Sequence, residues 1–298
     1  MNLTELKTPI RLYWDLPSHP ADTNLDYPGI CEQIISLRIL SLGITETAPA
    51  VSDGCLAILE RLKKQPIATS LTVSSSVLDT AALSLLHGFN VRLLLVRAST
   101  LDDLRVVPRL KTSDGAKPQL GVSFEVSADN FGILPEVLSY CVENGIQHLV
   151  LPMQRLKAGD DCFQLGRSER ESLSSNLAGI DRPATMKITI HDPFLWRVFF
   201  PSVSFPDGSC QAANTMLYIA GNGDVHPCPT LPYKLGNLAG TTLRAIVEST
   251  GKKELRERLI NPPAGCACCA ELDQCRGGCR GRGYFLTESW DEADPGCL

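Results

Sequence analysis

Seven cysteines toward the C-terminus share one spacing pattern, and thiolates spaced in this way converge on a metal. Cys210 is followed by twelve residues, then Gly223, four residues and Cys228. Cys266, Cys269, Cys275 and Cys279 run as C-x2-C-x5-C-x3-C, and Cys297 completes the set seventeen residues later. Gaps of two or three residues let one turn aim two sulfurs at the same centre, whether a zinc ion or an iron–sulfur cluster. Cys268 fits no slot in the pattern and reads as a spare thiol, an alternate ligand or a reactive group. Cys31, Cys55, Cys141 and Cys162 are scattered and read as small core residues.

The elements that must position these thiols fall into two parts. Before residue 200, short apolar runs alternate with helix-like stretches. Strands are expected at Ile10–Trp14, Leu37–Ile44, Ile67–Val73, Val91–Val96, Leu120–Val126 and His148–Pro152. Between them, Asp26 and Pro28 start one helix and Ser52 caps another, with Leu56, Leu59 and Leu62 on its apolar face. Leu78–Leu86 is a third helix. Phe131, Leu134, Val137, Leu138 and Cys141 recur at helical spacing before Gly145. Such alternation implies parallel strands joined by helical crossovers, in an open doubly wound sheet or a partial barrel. Met186–Ile190 reads as a late strand or a bridge. The Ser-rich stretch 157–183 reads as loop or irregular helix, and 192–206 as a boundary. Beyond it, Tyr218–Ala220, Gly221-Asn222-Gly223 and Val225 form a hairpin, 243–259 a helix, and the rest turns around cysteines.

Composition narrows the classes further. A net charge of −5 leaves no general attraction for nucleic acid or anionic membrane, so neither is an expected partner. No apolar run approaches the length of a membrane span. Twelve cysteines and an N-terminus without a signal pattern argue for a reducing, cytoplasmic compartment and metal ligation rather than disulfides. The Arg-Gly-Gly at 276–278 is too short, in too acidic a chain, to read as an RNA-binding segment.

The cysteine spacing, together with Gly-Asp-Val-His-Pro-Cys at 223–228 and Leu-Gly-Asn-Leu at 235–238, resembles the SPASM domain attached to many radical SAM enzymes. The preceding part is similar to the partial (βα)6 barrel of those enzymes. The resemblance implies an α/β chain: a degenerate radical SAM-type barrel over 1–200 and a SPASM module with two auxiliary iron–sulfur clusters over 201–298. One departure is decisive for function. Radical SAM enzymes carry CxxxCxxC after the first strand, whereas residues 15–24 here (Asp-Leu-Pro-Ser-His-Pro-Ala-Asp-Thr-Asn) hold no cysteine. The second strand leads into Gly43-Ile-Thr-Glu46 instead of the Gly-Gly-Glu type of SAM-contacting turn. Without three convergent thiolates no cluster with an open iron forms at that position, and SAM is not an expected cofactor.

What the resemblance implies is an accessory protein of a ribosomal peptide-maturation system, and the opening Thr8-Pro-Ile-Arg-Leu-Tyr-Trp-Asp-Leu16 resembles that of the SPASM proteins of GeoRSP-type systems. Its partners would be a radical SAM/SPASM enzyme and a precursor peptide or peptide chaperone. Independent catalysis is not expected. The ligands implied are Cys266, Cys269, Cys275 and Cys297 for one [4Fe–4S] cluster, with Cys210, Cys228 and Cys279 for the other. Ser204 stands where some members add a cysteine, so the second set is completed by nothing, by an oxygen or nitrogen donor, or by Cys268. His226 and His191 are conceivable donors. Arg276, Arg280 and Arg282 lie among the ligands and could offset cluster charge. Two readings stand beside this one: a non-redox binding module stapled by zinc or by structural clusters, and a barrel enzyme using Asp15, His19 and Asp22 in the first loop.

Overall fold

The computed structural model describes residues 5–19, 24–110, 118–157, 159–203 and 210–297. Asp22 and Ser204 lie outside the described residues. Seven strands follow one another in chain order: β1 (Arg11–Asp15), β2 (Ser41–Thr45), β3 (Ala68–Ser74), β4 (Val91–Ala98), β5 (Gln119–Phe124), β6 (His148–Leu151) and β7 (Lys187–Ile190). Each is parallel to the next, from Arg11↔Ser41 at one edge to His148↔Lys187 at the other. Helices fill the crossovers: α1 (Tyr27–Ser36), α2 (Asp53–Leu62), α3 (Thr80–Leu86), the short α4 (Leu101–Leu104), α5 (Leu134–Glu143) and α6 (Arg167–Ala178).

Local chemistry explains where these helices start. The Asp26 carboxylate accepts from Gly29 N–H at 3.0 Å, and Pro28 occupies the first turn of α1, where no N–H is needed. Ser52 accepts from Cys55 N–H at 3.2 Å at the head of α2. The strand face toward the helices is apolar: Leu12, Trp14, Leu42, Ile44, Leu71 and Phe124 are almost wholly buried. Each contributes about 1.5–3 kcal/mol by leaving water. The other face turns inward and is largely polar. Side chains from all seven strands, Tyr13, Ser70, Ser123 and Thr189 among them, line one cavity of about 340 Å³. One cavity shared by seven consecutive parallel strands requires a sheet curled into a partial barrel.

The remaining elements are α7 (Pro193–Phe199), β8 (Met216–Ile219), β9 (Asp224–His226), β10 (Gly236–Asn237), α8 (Leu243–Glu248), α9 (Thr250–Ile260), α10 (Leu272–Cys275) and α11 (Arg280–Thr287). Among the described residues all ten strands belong to one sheet, ordered β10-β9-β8-β1-β2-β3-β4-β5-β6-β7. The expected hairpin is β8–β9, and β8 runs parallel to β1, so the first strands of the cysteine-rich region continue the barrel wall.

Four local expectations differ from the structure. The second strand begins at Ser41, because α1 closes through a turn in which Arg38 takes a left-handed φ of 56°. The Ser-rich stretch holds a true helix, α6, with Leu173 and Leu177 buried. The expected boundary is occupied by α7, capped by Asp192 and burying Phe194, Leu195, Val198 and Phe199. The helix over 243–259 is two helices, since Ser249 is extended (ψ 150°) and its hydroxyl caps the second. No helix among the described residues is long and apolar enough to cross a membrane.

Candidate metal centre

The pattern cysteines gather into two sets. Cys210 precedes β8, Cys228 follows β9, and Cys279 stands at the head of α11. All three line one cavity of about 510 Å³ beside the barrel. Burial pushes the Cys228 thiol up to about 12, with Cys210 adding to the effect. Burial also raises Cys279 well above the usual thiol range; Arg282 opposes this, while Asp294 and Cys228 reinforce it. Cys210 is raised by burial against the opposing pull of an Ala212 N–H and of Arg256 and Arg280. The second set is Cys266, Cys269, Cys275 and Cys297. Burial raises Cys266, and Cys275, Cys297 and Cys269 raise it further. Burial likewise raises Cys297, with Cys275 and Cys269 next in effect. Cys268 is exposed and Cys162 is half-buried, whereas Cys31, Cys55 and Cys141 are buried in the core.

Glycines make the tight approach of these segments feasible. A Cβ on Gly281 would stand 2.9 Å from the Thr230 backbone, so α11 meets the loop after Cys228 only because that position is bare. Gly278, at φ +71°, brings the chain against Asp294, whose carboxylate accepts from Cys279 N–H at 2.5 Å.

Three arginines brace the sulfur loops. Arg256 donates to the carbonyls of Cys210 and Ala212 at 2.6 and 2.9 Å and pairs with Glu5 at 2.6 Å. Arg280 is buried, donates to the Asn261 and Trp290 carbonyls, and feels both Cys210 and Cys266, which places its charge between the two sets. Arg282 is also buried but is neutralised by Asp294 and Asp192. Arg276 pairs with exposed Asp273. Of the three arginines expected to offset cluster charge, Arg280 is the one held by carbonyl oxygens rather than carboxylates.

The donors suit an iron–sulfur cluster: seven buried or half-buried thiols in two sets, with the Arg280 charge felt by Cys210 of one and Cys266 of the other.

The two histidines considered as donors separate. His191, just after β7, lines the cavity of Cys210, Cys228 and Cys279. Its Nε2 is 3.2 Å from the Tyr13 hydroxyl, and burial, helped by Arg11, lowers its pKa to about 4, which keeps the ring neutral. His226 lines a different cavity, at the C-terminal mouth of the barrel, and its buried Nδ1 has no hydrogen-bond partner.

That mouth is a cavity of about 800 Å³. Its wall is fixed by Asp15, the last residue of β1. Arg155 grips this carboxylate at 2.6 and 3.0 Å and also donates to Thr45 Oγ1 at 3.2 Å, and the Tyr218 hydroxyl donates to Asp15 at 3.0 Å. Burial opposes the Arg155 charge, but Asp15 outweighs it and the pKa is raised; the Tyr218 phenol is pushed up by burial and by Asp15. Glu46 is fully buried and accepts from Ala48 N–H, Ser52 N–H and the Ser52 hydroxyl at 3.0, 3.0 and 2.6 Å. His19 is exposed and lines neither cavity, so the first-loop enzyme reading gains no convergent group from it.

Residues 210–270 match the family model of the SPASM domain, an iron-sulfur cluster-binding domain. A search of the curated proteins finds no match. Among solved structures the chain is similar to Streptococcus suis SuiB, with 17% identity and a TM-score of 0.69 over 99% of this chain and 78% of that one. It is similar to SuiB bound to precursor peptide SuiA, at 15% identity and a TM-score of 0.70, over 99% and 77% of the two chains. It is also similar to anSMEcpe with bound AdoMet and the Cp18Cys peptide, at 16% identity and a TM-score of 0.64, over 97% and 94%. The chain therefore has the α/β fold of the radical SAM/SPASM enzymes, with a SPASM iron–sulfur domain at 210–270.

Proposed function

We propose that this protein is an iron–sulfur accessory factor of a ribosomal peptide-maturation system. It binds a radical SAM partner or its precursor peptide, relays electrons through two [4Fe–4S] clusters and does not cleave SAM. The single observation behind this reading is a contrast within one fold. The mouth of the barrel has no cysteine in its first loop, and its first-strand carboxylate, Asp15, is committed to Arg155 and Tyr218. Beside the same barrel, seven buried or half-buried thiols stand in two sets.

Cys266, Cys269, Cys275 and Cys297 would hold one cluster, and Cys210, Cys228 and Cys279 three irons of the other. When bound, the clusters would supply reversible one-electron transfer. The cluster-binding module is taken as 201–298, following a degenerate barrel over 1–200. The likeness to SuiB with its precursor peptide and to anSMEcpe with a bound peptide supports a peptide partner. The opening Thr8-Pro-Ile-Arg-Leu-Tyr-Trp-Asp-Leu16 favours the GeoRSP type of system.

The test is reconstitution. The anaerobically loaded protein, incubated with SAM and dithionite, should yield no 5′-deoxyadenosine, yet should raise peptide modification by a cognate radical SAM enzyme. Formation of 5′-deoxyadenosine by the chain alone would refute the reading. Redox-silent clusters in a protein that still binds its partner would favour the non-redox module instead.

A further inference from the structure

We infer that His191 is the nitrogen donor that completes the three-thiolate cluster, an inference that rests on the cluster reading above. His191 shares the cavity of Cys210, Cys228 and Cys279. A second contact fixes the ring: the Tyr13 hydroxyl lies 3.2 Å from its Nε2, which holds the residue after β7 against β1.

Among the described residues, the other carboxylate and cysteine of that cavity and the second candidate histidine have other partners or places. Asp192 is bonded by Arg282 and by the N–H groups of Phe194 and Leu195. Cys275 belongs with Cys266, Cys269 and Cys297. His226 lines the barrel mouth.

The surroundings of His191 are those a metal-bound imidazole requires. Such a ring has its second nitrogen fixed by a neighbour, which sets tautomer and orientation. Arg11 donates to the Tyr13 oxygen at 3.3 Å, and that oxygen has a second lone pair to accept Nε2–H. In the tautomer that carries its proton on Nε2, the ring donates to that oxygen and Nδ1 keeps the free lone pair. A neutral imidazole in place of a fourth thiolate also leaves the cluster less anionic, which raises its reduction potential.

The test is pulsed EPR on the reduced, full-length protein grown with 15N-histidine. A histidine nitrogen coupled to one of the two clusters is expected, lost in His191→Ala and retained in His226→Ala. In His191→Ala that cluster should also shed its unsupported iron on mild oxidation, giving a three-iron signal. His191→Cys should keep the iron, lose the coupling and titrate at lower potential. Two clusters without histidine coupling in the wild-type protein, or coupling that survives His191→Ala, would overturn the assignment. The wild-type spectrum decides even if a variant does not fold. Absence of iron altogether would refute the cluster reading itself, which is a distinguishable failure.

Discussion

Arg155 closes on Asp15 through both of its carboxylate oxygens, Nε to Oδ2 at 2.6 Å and Nη2 to Oδ1 at 3.0 Å, across the mouth of the barrel. The pair ties the end of β1 to the segment after β6, and Thr45 and Tyr218 complete it from β2 and β8. Arg155→Ala would strand a carboxylate that is almost buried. Fully buried pairs cost about 3–5 kcal/mol when one partner is removed. The Arg155 side chain keeps 26% of its surface exposed, so the expected loss is smaller, about 2 kcal/mol. Urea denaturation of the two proteins measures it, and an unchanged midpoint would remove the pair from the account of the barrel mouth.

Arg282 carries a larger stake. It is 2% exposed, bonds both oxygens of Asp294 at 2.6 and 2.7 Å, and reaches Asp192 at the head of α7. Arg282→Ala leaves Asp294 buried and unpaired, with an expected loss of about 3–5 kcal/mol. Arg282→Lys should recover little of it, because an ammonium cannot match the two-pronged geometry. Recovery of wild-type stability by lysine would show that charge alone suffices.

The thiols should sort by environment. Cys268 is exposed and should be alkylated first in the native protein. Burial pushes Cys31 and Cys141 up to about 12 and raises Cys55 as well, so these three should resist until the chain unfolds. Their folded-state pKa lies above the unfolded value of about 8.5. The stability they contribute is therefore complete below that value and lost as pH rises toward 12. Cys141→Ala should flatten the decline of stability above about pH 8.5. An identical pH slope in the variant would contradict the shift.

Cluster removal should be felt unevenly. Much of the folding energy of a cysteine-rich module comes from its metal. Hydrogen exchange after chelation should show lost protection in α10 and α11, while β2 to β6 stay protected. Because β8 is hydrogen-bonded to β1, partial loss should extend to that edge of the barrel. Uniform loss across β2 to β6 would show that barrel and module fold as one unit.

The sequence carried the parallel βα order well, because each strand is a short apolar run and helices such as α1 and α2 start at a local cap, Asp26 or Ser52. It concealed α6, whose inward face rests on Leu173 and Leu177 amid serines and charges, and the break at Ser249, whose hydroxyl favours a new helix start over continuation. The cysteine pattern was legible because ligand spacing is local. The braces were not. Arg155 is 140 residues from Asp15, and Arg256 is 251 from Glu5, so no window of the sequence joins them. Nor could spacing separate His191 from His226; only the cavity that the end of β7 shares with Cys228 and Cys279 does so.

The most direct test of the whole account is the iron, acid-labile sulfide and zinc content of the full-length protein, purified and reconstituted without oxygen. Two [4Fe–4S] clusters predict about eight irons and eight sulfides per chain, with little zinc. Stoichiometric zinc that persists through reconstitution, with little iron, would contradict the account and leave a metal-stapled binding module in its place.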